Sequence, residues 1–361
     1  MTVFVSHDTA AECWCSGRFD YALGGPSIRP DHRPVGEEKV DAVATLLAMD
    51  RLSITYAEAI EFSNGCQSPR PVKSTPTSQE MNSAAEGLLA FASRPLHVLV
   101  PAKSAANCLD GVVCHVRSLP LPSGSFVRVD ENMLISSPEL CFVQMAGALS
   151  LPLLVRLGFE LCGLYALRPD GGVDYWRPLP PTTAAAIGAY LDACRRVPGA
   201  REARKALRFI ATGSGSPMET VLACMLCLPA RFGGYGMPLP LMNYRIERNC
   251  DKGSDSVPGA GGMGSYYLCD LYWPQAKLDV EYDSDLVHTG SDRIAYDAAR
   301  RNELAALGIT TITVTRSQIR SSEKLEEAAA QIAHFLGFRL RKDRSCSLED
   351  HAKLLGLLMS R

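Results

Sequence analysis

Apolar residues recur at helical spacing through the first part of the chain, in "SHDTAAECW", "EEKVDAVATLLAMDRL" and "MNSAAEGLLAFA", so residues 1 to about 90 read as mainly helical. Ser6 stands where the first of these helices would take its N-cap. The stretch "CQSPRPVKSTPTSQ" between the later two is rich in Pro, Ser and Thr and reads as an exposed connection. From about residue 96 the pattern shortens to strands, in "LHVLV", "VVCHVRS" and "SFVRVD". In "ISSPELCFVQMAGAL", Ser136 precedes Glu139 by three residues and Pro138 lies near the first turn, which predicts a capped helix. "RPDGGVDYWRPLPPTT" reads as a loop.

Further along, "GSPMETVLACMLCL" predicts a helix and "MNYRIER" a strand, followed by the Gly/Ser-rich loop "NCDKGSDSVPGAGGMGS". Two strands come next, "YYLCDLY" and "KLDVEYD", then a helix "RIAYDAARRNELAALG" closing on Gly308, the β-branched strand "ITTITVT" and a last helix "SEKLEEAAAQIAHFLG". A meander of strands followed by a helical crossover to one more strand predicts an α/β arrangement with a mixed sheet, within a chain that is α+β overall. The expected organisation is a helical region over 1–95 that could serve as a DNA-binding module, a small α+β domain over 96–210, an α/β domain over 211–340 and a helical tail over 341–361.

Composition adds limits. The 361 residues are 47% hydrophobic and 21% charged with a formal net charge of −2, so no global basic field recruits a nucleic acid and a local patch would have to. The run "RRVPGAREARKALRF" offers one, with Arg195, Arg196, Arg201, Arg204, Lys205 and Arg208 against a single Glu202. It reads either as a solvated helix face or as a phosphate-contacting surface. The N-terminus shows no basic segment followed by an apolar one, and "MAGALSLPLLV" falls short of the about 20 apolar residues that span a bilayer, so a cytoplasmic protein without a membrane partner is expected. Thirteen cysteines read as reduced, mostly buried thiols; the lone C-x-x-C, Cys224 to Cys227, lacks the second pair a zinc site needs. Gly259, Gly261 and Gly264 spell G-x-G-x-x-G, but a strand rather than a helix follows, which excludes a dinucleotide fold.

The strongest chemical signal is "YLCDLYWPQAKLDVEYDSD", which crowds Asp270, Asp279, Glu281, Asp283 and Asp285 around one Lys277. Alternation puts Leu278, Val280 and Tyr282 on one face of a strand and Asp279, Glu281 and Asp283 on the other. The "WPQA" turn returns Asp270 on the neighbouring strand, near Asp279 or diagonally near Glu281. Either this is the wet face of a half-buried hairpin, or a divalent cation between Asp270 and Glu281 turns repulsion into ligation and can activate a water for phosphodiester attack.

Residues about 214 to 316 resemble the Vsr-like branch of the PD-(D/E)XK nuclease superfamily, through Glu219 in a first helix, Asp270 in "CDLYWP", Glu281-Tyr282-Asp283, His288 and "DAARRNELAALGITTITV". The resemblance implies a restriction-endonuclease-like mixed sheet flanked by helices. It makes Asp270 and Glu281 ligands of Mg²⁺ (or Mn²⁺), with Glu219 or His288 positioning the attacking water. Asp297 and Arg300 match the family's pair on the crossover helix, and Arg300 could steady a phosphate. Asp283 stands where the superfamily has its catalytic Lys, and Ser284 replaces a usual Gly. Upstream, the stretch from "LHVLV" to "SSPELCFVQMA" is similar to the middle region of AbiEi-type abortive-infection antitoxins. The expectation that follows is a bacterial Mg²⁺-dependent endonuclease acting on nucleic acid, DNA foremost, in phage defence or a toxin–antitoxin setting. Its catalytic set would be Glu219, Asp270, Glu281, Asp283 and His288, and its nucleic-acid contacts Arg201, Arg204, Lys205, Arg208 and Arg300. The rival expectation is a DNA-binding regulator or antitoxin whose nuclease fold no longer cuts.

Overall fold

The computed structural model describes residues 3–19, 95–100, 103, 106, 111–117, 121–129, 133–194, 197–247, 266–284, 291–340 and 347–360, without the side chains of 291–297. The helices expected within 37–92, the Gly-rich fingerprint, Arg195, Arg196, Asp285 and His288 lie outside the described residues.

Strand β1 (Val3–Val5) is the centre of a five-stranded sheet. It runs antiparallel to β2 (Leu96–Val100) and parallel to β5 (Met133–Ser136), with β3 (Val112–Val116) beyond β2 and β4 (Phe126–Arg128) beyond β5. A boundary at residue 95 therefore cuts through this sheet: Val5 pairs with Val98, so the first strand belongs to the middle unit. The helix α1 (His7–Cys15) follows directly and buries Ala10, Cys13 and Trp14, with the Trp14 indole donating to the Ser136 carbonyl at 2.8 Å. Ser6 occupies the N-cap position without a side-chain cap bond, and His7 opens the helix at φ 48°, a left-handed conformation that is costly for a residue with a Cβ. Its ring stacks on His115 at 3.5 Å, and His97 Nδ1 lies 3.0 Å from His115 Nε2 and 3.3 Å from the Asp8 carboxylate.

The next helices are α2 (Pro138–Met145) and α3 (Leu151–Leu161). The cap of α2 is Ser137, whose hydroxyl accepts from the Leu140 N–H, one residue later than Ser136. Glu139 turns inward instead of closing a capping box, and its carboxylate accepts from the Thr182 hydroxyl. The Gly/Pro-rich stretch read as a loop contains a hairpin, β6 (Tyr165–Leu167) with β7 (Val173–Trp176), because Asp170 and the glycines after it make a tight turn that Arg168 clamps. Helices α4 (Ala184–Ala193) and α5 (Ala200–Leu207) pack on this layer, α5 through Ala200, Ala203 and Ala206.

Helix α6 (Pro217–Cys227) is capped by Ser216, whose hydroxyl accepts from the Glu219 N–H, and it is buried along its length, Cys224 and Cys227 included. The second sheet has the order β11-β10-β9-β8, with β8 (Leu241–Glu247), β9 (Tyr266–Trp273) and β10 (Leu278–Asp283) antiparallel in turn. Helix α7 (Ser291–Ala306) crosses over to β11 (Thr310–Thr315), which runs parallel to β10. This is the mixed sheet with a helical crossover that the sequence pattern predicts. A short turn α8 (Arg316–Ile319) leads to α9 (Ser322–Phe335), and α10 (Leu348–Met359) closes the described chain.

One apolar cluster runs from Val5 and Trp14 through α2, α3 and α6 to Leu271, Val280 and Val314, so the two sheets share a core. Gly233 shows how tightly α10 docks on it. At φ +90° a Cβ would stand 2.3 Å from the Asp350 carbonyl oxygen, while the His351 ring donates to the Gly233 carbonyl at 2.6 Å. No helix among the described residues is long and apolar enough to cross a membrane.

Candidate metal centre and nucleic-acid face

The second sheet lies between α6 and α7, and the position of each acid follows from which helix it faces. On β10, Leu278 and Val280 are fully buried in the core shared with α6, while Asp279 and Glu281 point the other way, as the period-two pattern requires. On β9 the alternation breaks. Leu271 and Trp273 join the α6 side, whereas Tyr267, Cys269 and Tyr272 pack with Leu304 of α7. Cys269 and Tyr272 are three residues apart yet share a face, and Met242 and Tyr244 of β8 change faces at the same level, so the irregularity at Asp270 is matched at Asn243 and the β8–β9 register runs unbroken across it.

That paired irregularity decides the chemistry. The regular register pairs Trp273 with Leu278, Tyr272 with Asp279 and Leu271 with Val280, and would next bring Asp270 opposite Glu281. The Asp270 carboxylate accepts the Tyr282 N–H at 3.0 Å. Among the described residues, the group that brings three potential ligand atoms within 4.8 Å of one another is Cys269, Asp279 and Glu281.

Glu281 is held from α7. Arg300 donates Nη1 to Oε2 at 2.9 Å and Nη2 to Oε1 at 2.5 Å, and its Nη2 also reaches the Leu268 carbonyl at 2.5 Å. Both partners keep under a fifth of their side-chain surface, 18% and 17%, so this two-pronged pair is strong relative to surface ion pairs. Asp279 is 0% exposed; no N–H donor reaches its oxygens, and its polar neighbours are the Cys269 thiol and the Glu281 carboxylate. Burial, reinforced by the Glu281 carboxylate, pushes its carboxyl up to about 10, against a smaller lowering by Arg300, so it holds its proton at neutral pH. Burial likewise raises the Cys269 thiol. With Asp279 protonated and Glu281 matched by Arg300, this group of three side chains carries no net charge.

The α6 side presents a different set. Glu219 is 5% exposed, and its Oε2 accepts from the Gly215 N–H at 2.8 Å and from Asn243 Nδ2 at 2.6 Å. Asn243 sits at φ 47° between the pairs Met242–Leu271 and Tyr244–Cys269, which places it across β8 from Asp270. Its Oδ1 is buried without a partner among the described residues. Asp283 is exposed at the end of β10, and the side chain of Asp297 lies outside the described residues. Arg300, expected to pair with Asp297 or to hold a phosphate, is committed to Glu281.

The basic helix is α5. Arg201 is 85% exposed at its side chain; Lys205 pairs with Glu202 at 2.6 Å, and Arg204 donates to the Leu191 carbonyl. A cleft of about 1470 Å³ begins at Arg208 and is bordered by Arg231, Arg339, Glu323 and Glu326; none of the hairpin acids lines it. Sequence reasoning missed Cys269 as a site residue and did not single out Asp279. Alternation had already put Asp279 on the right face, but Cys269 joins it through an irregularity shared by β8 and β9, which leaves no residue signature. No family model, curated protein or solved structure matches the chain.

Proposed function

We propose that the protein is a nucleic-acid-binding regulator, of the antitoxin kind and acting in the cytoplasm, whose C-terminal unit has the architecture of a nuclease without its cutting centre. One observation carries this reading. The two acids that would share Mg²⁺ are turned to different partners, Asp270 to the Tyr282 N–H and Glu281 to Arg300. The charge of Glu281 is already balanced by Arg300 and the Asp270 carboxylate is taken up by a backbone amide, which supports a centre that has lost its Mg²⁺. The order of α6, β8, β9, β10, α7 and β11 supports the nuclease-like ancestry, and the exposed basic side chains of α5 supply the local patch for a phosphate backbone.

The test is incubation of the full chain with single- and double-stranded DNA and RNA in Mg²⁺ or Mn²⁺, followed by both gel retardation and product analysis. Retention of intact nucleic acid is expected. Cleavage that disappears in Asp270→Asn would overturn the reading.

A second reading, a Mg²⁺-dependent endonuclease, is favoured by the α6 side. There Glu219, Asn243 and Asp270 occupy neighbouring positions, and the orphaned Asn243 Oδ1 is an acceptor that a cation would satisfy. In that case Glu219→Gln would abolish cleavage while nucleic-acid retention persisted.

A further inference from the structure

We propose that Cys269, Asp279 and Glu281 form a closed site for a thiophilic divalent ion of the Zn²⁺ class, bound between β9, β10 and α7 as a structural element. The proposal does not depend on nucleic-acid binding, and it concerns the opposite side of the sheet from Glu219 and Asn243.

Three observations converge. The Cys269 Sγ and one oxygen each of Asp279 and Glu281 lie within 4.8 Å of one another. Ligand bonds of about 2.3 Å to sulfur and about 2.0–2.2 Å to carboxylate oxygen set the edges of a tetrahedral site, so the three need draw together only modestly. Both Asp279 oxygens are fully buried with no N–H donor on them and with the Cys269 thiol and the Glu281 carboxylate beside them, so an ionised Asp279 needs a cation to complete it. Thr311, the register partner of Asp279 on β11, leaves its own Oγ1 buried and unpartnered, which puts a further oxygen on the same face.

Arg300 fits as the outer support of this site. A carboxylate has room for about four partners, so the Arg300 bonds to Glu281 orient it and still leave lone pairs for an ion. With an ion bound, two carboxylates and one thiolate face a divalent cation and a guanidinium, and the buried charges sum to zero. The sulfur donor sets the metal class, because thiolate selects Zn²⁺ or Co²⁺ over the hard cations Mg²⁺ and Ca²⁺. Cys269 and Asp279 are both 0% exposed, so the ion would meet no substrate and its binding would appear as stability of the second sheet.

The experiment is a Co²⁺ titration of the full chain after chelator treatment and dialysis, read by absorption and thermal unfolding. A thiolate-to-cobalt charge-transfer band, intense tetrahedral visible bands and a raised Tm are expected, with Zn²⁺ displacing Co²⁺ and Mg²⁺ producing no Tm shift. Cys269→Ser should lose the charge-transfer band. Asp279→Asn should weaken Co²⁺ binding by more than the about 10–100-fold typical of outer-shell changes. Cys224→Ser, in α6, should keep the band. A folded wild-type chain that gives no charge-transfer band, or a band that survives in Cys269→Ser or keeps its affinity in Asp279→Asn, overturns the proposal.

Discussion

Replacing Arg300 by Met removes the cation from the acidic hairpin while keeping most of the apolar stem that α7 lays on Tyr267. The Arg300 guanidinium makes two charged hydrogen bonds to Glu281 and one to the Leu268 carbonyl, and both ionic partners are more than four-fifths removed from water. Breaking a buried pair from one side leaves an uncompensated charge and costs about 3–5 kcal/mol. The residual exposure of Glu281 and the chance to take a proton place this case near the lower end, about 3 kcal/mol. Urea unfolding of the metal-stripped full chain at neutral pH measures it, with Glu281→Leu and the double variant completing the cycle. Each single change should be strongly destabilising. The double variant should recover most of the loss, because the pair as a whole is worth little against an apolar replacement. An Arg300→Met cost below about 1 kcal/mol, the range of an exposed ion pair, would show that Arg300 is not what neutralises these acids.

Three further outcomes follow from other parts of the molecule. His7 is held neutral, its pKa lowered to about 3 by burial and then by His115 and His97; unfolded it would titrate near 6.5, so stability should be present above that value and fall by about 1.4 kcal/mol per pH unit as the pH drops below it. Asp279, its carboxyl pushed up to about 10, contributes an opposite slope over the same range, so thermal unfolding across pH 4–8 should show the His7 slope as the difference between the wild type and His7→Asn, which tolerates the left-handed backbone. Changing Arg201, Arg204 and Arg208 together to Ala should weaken DNA retention and reduce its salt slope by about two to three; an unchanged slope would return α5 to a solvated face. Gly233→Ala combines a φ of +90° with a 2.3 Å approach to the Asp350 carbonyl, and should lower Tm and expose α10 to proteolysis without altering nucleic-acid retention.

Much of the second sheet was legible in the sequence, because strand alternation and the Trp-Pro turn are local signals. The hairpin, the crossover helix and the Ser216 cap of α6 all follow from residues within a few positions of one another. What was not legible depends on partners distant in sequence or on an irregularity shared by two strands. β1 looks like a lead-in to a helix until Val98 and Ile135 pair on either side of Val5. The β6–β7 hairpin is hidden by turn residues that read equally well as a loop. Most consequentially, the irregularity shared by Asp270 and Asn243 sets a thiol beside Asp279, and a change of face in the middle of two paired strands is not written in their alternation. Arg300 was placed on the right helix, but its bond to Glu281, nineteen residues back, is a long-range contact that no local pattern signals.

The most direct measurement is a cleavage assay of the full chain in Mg²⁺ and in Mn²⁺ against labelled single- and double-stranded DNA and RNA, run beside Asp270→Asn, Glu219→Gln and Glu281→Gln. A nuclease-like fold without a cutting centre predicts retarded, intact nucleic acid with the wild-type chain and all three variants, whereas a metal-dependent product lost in Asp270→Asn would contradict it.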